Sequence, residues 1–150
     1  MRWIRRWWPT AVWAILIWVL STEYFSSGAT SRVIEPILRW LFSSASKHTI
    51  RLIHHYIRKA AHVTEYAIFS VMLFRSFRGK QSGWRLTWMV EALATAVVYA
   101  CLDEVHQAFV PGREASIYDS MLDSAGAGVG QLILWLWFRK RANQPETKAV

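Results

Sequence analysis

The chain has 150 residues, a formal net charge of +8 and a hydrophobic content of 53%, with ten tryptophans. This length allows one domain. The basic residues lie at the ends of apolar segments and do not follow one face. The charge therefore predicts the lipid bilayer as the partner and excludes nucleic acid. The one cysteine, Cys101, excludes an intramolecular disulfide, and we expect it to be a buried small hydrophobic residue.

Residues 8–25 are the first predicted transmembrane helix. The stretch before them is basic and rich in tryptophan, which suits the cytoplasmic side and the headgroup level of a membrane. Pro9 fits the first helical turn, where its missing N–H costs little. The apolar run that follows is near the lower limit of length that spans a bilayer.

Residues 32–58 predict an amphipathic helix, or two, lying on the membrane surface. Apolar residues recur at helical spacing over residues 33–42 and again over 50–57, with basic residues among them. We interpret His54 and His55 as part of a solvated or headgroup face. The alternative interpretation is a helix packed over the ends of the transmembrane bundle.

Three further apolar segments predict transmembrane helices, at residues 60–77, 84–107 and 117–138. The predicted fold class is thus an all-α integral membrane bundle of four transmembrane helices. Ser116 is the expected N-cap of the last helix. Glu91 is expected to pair with a nearby arginine.

Small residues recur at a spacing of four between Ser124 and Gly130 in the last predicted helix. Such residues let another helix backbone come close, so this face is a candidate contact for a partner helix. The polar tail, residues 142–150, is predicted to be disordered.

Four transmembrane helices place both termini on the same side of the membrane. That side carries more Lys and Arg than the other, which favours cytoplasmic termini. The start of the second helix, the end of the third and the start of the fourth then meet at the extracytoplasmic face. Ionisable residues in such helices usually face a cavity or a partner. The polar residues brought together are His62, Glu65, Asp103, Glu104, His106, Gln107, Arg113, Asp119 and Asp123.

Two groups in this cluster have a chemical and a structural interpretation. Asp119 and Asp123 share a helix face, as paired carboxylates for acid–base chemistry would. Carboxylates are also favoured in the first turns of a helix by its dipole. Arg113 would clamp a phosphate or carboxylate of a ligand, or would pair with Asp103 or Asp119 and fix the turn.

The histidines and the tyrosine of the cluster favour structural interpretations. His62 and His106 have carboxylates near them, but the chain has no HExxH motif and no cysteine pair. We therefore predict neither a metal nor a cofactor. His62 is expected to be hydrogen-bonded inside the bundle. Tyr66 is expected to lie in the core with its hydroxyl satisfied.

Two motifs in this region resemble those of the VanZ-like family, and the likeness covers roughly residues 13–137. The first motif is Lys59-x-x-His62-x-x-x-Tyr66. The second is longer and more specific: Asp103-Glu104-x-x-Gln107-x-Phe109-x-Pro111-Gly112-Arg113-x-x-Ser116-x-x-Asp119, followed by a glycine-rich helix. The resemblance implies a small multi-pass protein of the bacterial cytoplasmic membrane. The family is named for a member linked to resistance to glycopeptide antibiotics of the teicoplanin type, and the resemblance assigns no role to the motif residues.

Three hypotheses follow for the function. In the first, a polar pocket at the extracytoplasmic face recognises an anionic cell-envelope component, such as a lipid-linked precursor, or a glycopeptide antibiotic. In the second, the cluster is an internal salt-bridge network of an accessory membrane subunit. The third, transport or proton conduction, is the least favoured, because the predicted helices are apolar over most of their depth.

The pocket hypothesis leaves open whether the protein is an enzyme. Lys59 and Arg113 would hold the anionic group, while His62 and the carboxylates would transfer protons. The candidate ligand-binding residues are Lys59, His62, Tyr66, Gln107, Arg113 and Ser116. The candidate catalytic residues are His62, Asp103, Glu104, Asp119 and Asp123.

Overall fold

A computed structural model describes residues 2–111, 113 and 115–143. These residues form five α-helices and one short 3-10 helix, with no strand among them, which confirms the all-α prediction. The elements in chain order are α1 (Arg2–Leu20), a 3-10 helix (Glu23–Phe25), α2 (Ser27–Leu41), α3 (Lys47–Arg78), α4 (Leu86–Ala108) and α5 (Ile117–Ala142).

The first helix begins and ends earlier than the predicted range of 8–25. It starts at Arg2, so Pro9 lies inside the helix and not in its first turn. The early start is stabilised by Arg6, whose guanidinium donates to the carbonyls of Ser76 and Phe77 at the end of α3. Because the start of α1 contacts the end of α3 there, the end of α1 and the start of α3 lie at the other end of the bundle.

Two helices cover the segment 32–58, which was predicted to be one amphipathic helix or two, and its predicted end at 58 is wrong. The segment is divided, since α2 ends at Leu41 and α3 begins at Lys47. The Ser46 side chain accepts a hydrogen bond from the Thr49 N–H at 3.1 Å and caps α3. No Gly or Pro occurs within α3, so nothing ends the helix before Arg78. The second half of the amphipathic segment is thus continuous with the helix predicted at 60–77.

Two predictions of exposure are also wrong. His54 is 4% exposed, because its ring packs on α2, where Nε2 lies 3.3 Å from the Thr30 hydroxyl. Cys101 is exposed and not buried, since it lies on the outward face of α4.

The predicted ion pair between Glu91 and an arginine is not formed within the described part of the chain, and Glu91 is exposed.

The core lies where α1, α3, α4 and α5 meet. Alanines at a spacing of four on α4 form a small-residue stripe that lets the large side chains of α3 approach. The fully buried core residues include Tyr66, Phe69, Leu73, Phe74, Ala92, Ala96, Ala100 and Ala127.

The small residues of α5 pack against α3 of the same chain. A Cβ atom added at Gly126 would lie 2.5 Å from the carbonyl oxygen of Val63, and one at Gly130 would collide with Ala67. The close approach expected between Ser124 and Gly130 is therefore made within the chain. A Cβ atom added at Gly128 would have nothing within 4 Å, so the Gly128 side of the segment is open to a partner helix.

Among the described residues, α4 is the one helix long and apolar enough to cross a membrane, with a mean hydropathy of 1.4. This finding agrees with a membrane protein, while the other three transmembrane helices stay predictions.

The last helix runs to Ala142, four residues beyond its predicted end at 138. The tail, residues 142–150, was predicted to be disordered, and from residue 144 onward it lies outside the described residues.

Candidate functional site

A cavity of about 760 Å³ lies where the first half of α3, the end of α4 and the start of α5 come together. Five of the six candidate ligand-binding residues line it, and Tyr66 does not. The lining residues are Ser27, His55, Arg58, Lys59, His62, Gln107, Arg113, Ala115, Ser116, Tyr118 and Asp119.

The charged side chains of this cavity are mostly cationic. Arg58, Lys59 and Arg113 face one carboxylate, Asp119, among the lining residues that the structure describes. Lys59 forms an ion pair with Asp119. This contact places Asp119, which lies in the first turn of α5, against α3.

Arg58 and Arg113 oppose each other electrostatically. Burial lowers the pKa of Arg58, and the Asp119 carboxylate acts in the opposite direction. Burial also lowers the pKa of Arg113, and the charge of Arg58 lowers it further. Since both guanidiniums stay charged near neutral pH, the cavity holds two like charges that an anion would stabilise.

Arg113 pairs with neither Asp103 nor Asp119 in the described part of the chain, contrary to one of its two interpretations. Its Nε donates to the Thr22 carbonyl at 3.3 Å, and its Nη2 donates to the carbonyls of Thr22 and Leu20. These carbonyls follow the last turn of α1, where helical partners are missing. Arg113 therefore fixes the end of α1 while its side chain lines the cavity.

Asp103 lies beneath the cavity and joins two helices. It is 1% exposed, and its Oδ2 accepts from the Ser21 hydroxyl at 2.7 Å and from the Gln107 amide at 2.9 Å. Its Oδ1 is buried without a hydrogen-bond partner among the described residues. Asp103 is thus placed to hold the end of α1 against α4.

Glu104 accepts a hydrogen bond at the start of α5, whereas the Ser116 side chain, which was expected to cap that helix, does not. Ser116 stands at the N-cap of α5, but its side chain makes no capping hydrogen bond. Instead the Ser116 N–H donates to Glu104 Oε1, which satisfies a free donor at the start of the helix. Glu104 is buried and joins α4 to α5.

Asp123 contacts His62, one helix turn deeper than Asp119. His62 Nδ1 lies 3.4 Å from Asp123 Oδ1, within ion-pair distance but outside hydrogen-bond geometry. Asp123 is 1% exposed, whereas the His62 side chain is 20% exposed and lines the cavity. The two aspartates predicted to act together therefore contact different partners, because one turn of α5 separates the cavity from the bundle interior.

Tyr66 and His106 lie away from the cavity. Tyr66 is fully buried as expected, but its hydroxyl has no partner among the described residues, contrary to the prediction. His106 stacks on Trp18 with ring centroids 3.9 Å apart. The described residues contain no group of three or more side chains that could hold a metal ion.

Arg58 and His55 line the cavity, although neither was a predicted site residue. Both follow from the helical spacing of α3, because residues 55, 58, 59 and 62 lie on one face at intervals of three and four. Extending the predicted transmembrane helix back by two turns would have identified them.

One of three comparisons with known proteins gave a match. A protein-family model described as VanZ/LLP1 matches residues 7–138, a range that includes all lining residues of the cavity. A search of curated proteins gave no match. A search of solved structures gave none either. The family match covers well over half of the chain, and the protein is a member of the VanZ/LLP1 family.

Proposed function

We propose that this protein is a multi-pass protein of the bacterial cytoplasmic membrane whose cavity binds the anionic group of a cell-envelope component at the extracytoplasmic face. Membership of the VanZ/LLP1 family and the apolar helix α4 support the membrane location. Large exposed apolar side chains along α1 and α5 suit contact with lipid.

The cationic lining of the cavity carries the proposal. Arg58 is half-buried and makes no hydrogen bond or ion pair with the described residues, so its guanidinium is available to a ligand. Arg113 keeps one terminal nitrogen, Nη1, that no described residue occupies. The free guanidinium of Arg58, which can bind two oxygens at once, and the Nη1 of Arg113 together match a phosphate or diphosphate better than a single carboxylate.

A lipid-linked phosphate ester is the ligand class that fits both features. Its phosphate would lie between Arg58 and Arg113, and Gln107 and Ser116 supply further polar groups around it. His62 is the one catalytic candidate whose ring both lines the cavity and contacts a buried carboxylate. Proton transfer in the cavity would therefore fall to His62, with Asp123 positioning its ring.

The binding experiment uses inorganic diphosphate as the probe and the purified full chain in detergent. Arg58→Gln is expected to weaken binding about tenfold, the effect of removing one charge-assisted contact. Arg51→Gln is the matched control, since Arg51 is exposed on the same helix outside the cavity. Equal affinities of the two variants would contradict the proposal.

Side-specific labelling tests the orientation. On a Cys101→Ser background, Ala115→Cys reports the cavity and Gln81→Cys reports the opposite end of α3, both at exposed positions. An impermeant thiol reagent is expected to label Ala115→Cys in intact cells and Gln81→Cys only in broken cells. The reverse pattern would place the cavity in the cytoplasm and exclude an envelope ligand.

The alternative is a structural accessory subunit, and it too has support. Hydrogen bonds from three of the polar residues hold α1, α4 and α5 together; these residues are Asp103, Glu104 and Arg113. In this alternative, substitutions at the cavity reduce the amount of folded protein and do not change anion binding. Arg58→Gln separates the two proposals because Arg58 contributes no internal hydrogen bond within the described residues.

A further inference from the structure

The opposite end of the bundle carries a second cationic cavity of about 490 Å³. It lies between the start of α1 and the end of α3, at the other end of these helices from the first cavity. Among its described lining residues four are basic and none is acidic. The lining residues are Trp3, Arg5, Arg6, Arg75, Gly79 and Lys80.

The basic residues of this cavity differ in what they contact. The Arg6 guanidinium is held on the α3 carbonyls, and a Cβ atom at Gly79 would lie 2.8 Å from it, so glycine leaves the space that Arg6 occupies. Arg5, Arg75 and Lys80 are exposed and form no ion pair within the described residues. Three cations around one cavity are therefore left for an external anion.

An apolar groove of about 440 Å³ adjoins this cavity, and Trp3 lines both. The groove runs between α1 and α3 away from the basic residues. Apart from Thr10, its lining is hydrophobic, and it includes Ile4, Trp7, Trp8, Phe69 and Leu73. Cationic cavity and apolar groove thus form one continuous surface with two chemical halves.

We propose that this surface binds one anionic phospholipid, with the phosphate at Arg5, Arg75 and Lys80 and an acyl chain in the groove between α1 and α3. The charge of the cavity selects an anionic headgroup, and the groove selects a molecule that carries a hydrocarbon chain. Trp3 lies at the junction, which suits an indole ring at the headgroup level. This site is separate from the cavity of the proposed function and does not depend on it.

The experiment compares lipid retention by the purified full chain in native mass spectrometry. Phosphatidylglycerol is expected to be retained over phosphatidylcholine with the same acyl chains. The double variant Arg75→Gln/Lys80→Gln is expected to retain about tenfold less phosphatidylglycerol. The control Arg139→Gln/Lys140→Gln removes the same charge from exposed residues at the end of α5. Equal losses in the two double variants, or equal retention of the two lipids, would overturn the proposal.

Two further measurements test the groove. Ala11→Trp fills it and is expected to lower phosphatidylglycerol retention, whereas Val12→Trp lies on α1 outside it and is expected to have no effect. Circular dichroism checks that each variant is folded, and Trp3→Ala replaces Ala11→Trp if the latter is not. Inorganic phosphate at millimolar concentration is expected not to displace the lipid. Displacement by phosphate, or retention unchanged in the folded groove variant, would show that the acyl chain is not recognised.

Discussion

His62 Nδ1 lies 3.4 Å from Asp123 Oδ1, and this contact joins α3 to α5 beneath the cavity. Asp123 is almost completely buried and its carboxylate has no hydrogen-bond partner among the described residues, so the His62 ring is its one contact at ion-pair distance there. We predict that His62→Ala lowers the free energy of unfolding by about 3 kcal/mol, the usual cost of leaving a buried charge without its partner. Thermal unfolding in detergent measures the change.

A double-mutant cycle provides the control for this contact. Because His62→Ala/Asp123→Ala removes both partners of the contact, the double variant is expected to be more stable than the sum of the two single effects predicts. Strictly additive effects would show that the two side chains do not interact.

Arg113 and Arg58 line the same cavity but differ in their internal contacts. Arg113→Lys is expected to lower the free energy of unfolding by about 2 kcal/mol, because an ammonium cannot replace the forked hydrogen bonds to the carbonyls of Leu20 and Thr22. Arg58→Lys is expected to change it by less than about 0.5 kcal/mol, since no such bond is lost. Thermal unfolding of both variants checks the contrast, and equal destabilisation would contradict it.

The positions of the helices could largely be predicted from the sequence, since apolar periodicity and helix breakers set them. The continuity of α3 could not be predicted, because its amphipathic first half and its apolar second half form separate patterns, and each pattern predicts a helix of its own. No residue between the two halves ends the helix. The motif predicted Gln107 on α4 and Asp119 on α5, but not Tyr118. Arg58 was missed because it fell in the half assigned to the membrane surface.

The roles of the buried carboxylates could not be predicted for a different reason. Asp103 accepts from Ser21, a residue 82 positions earlier, and Glu104 accepts from the backbone of Ser116. Neither contact leaves a local pattern in the sequence, since each depends on how the helices pack. The acidic residues predicted to lie together therefore divide between the cavity, which Asp119 lines, and the bundle interior.

The stability of the protein is expected to fall on mild acidification through His54. Burial lowers the pKa of His54 below its ordinary 6.5, Arg58 lowers it further, and Glu35 acts in the opposite direction. The unfolded chain then binds a proton near pH 6.5 while the folded chain does not. Stability that is fully present above pH 6.5 is therefore lost as the pH falls towards the lower pKa of the folded state.

Melting temperatures between about pH 8 and about pH 5.5 test this expectation. His54→Gln is expected to flatten the pH dependence, since glutamine can keep a hydrogen bond to Thr30 without titrating. The control is His48→Gln, at an exposed position on the same helix. A slope that is the same in the wild type and in His54→Gln would assign the pH dependence to other groups.

Alanine substitutions at Gly126 and Gly128 distinguish the effect of close helix packing on stability from the effect of helix propensity. A methyl group at Gly126 would lie 2.5 Å from the Val63 carbonyl oxygen. Because the methyl carbon is fixed to the backbone of α5 and the oxygen belongs to the backbone of α3, α5 would have to move away from α3. Gly126→Ala is therefore expected to lower the free energy of unfolding by about 2 kcal/mol, as overpacking does. Gly128 has nothing within 4 Å, so Gly128→Ala is expected to stabilise the helix by up to about 1 kcal/mol. Opposite shifts of the melting temperature would confirm that α3 and α5 touch at this face, whereas stabilisation by both substitutions would show that they do not.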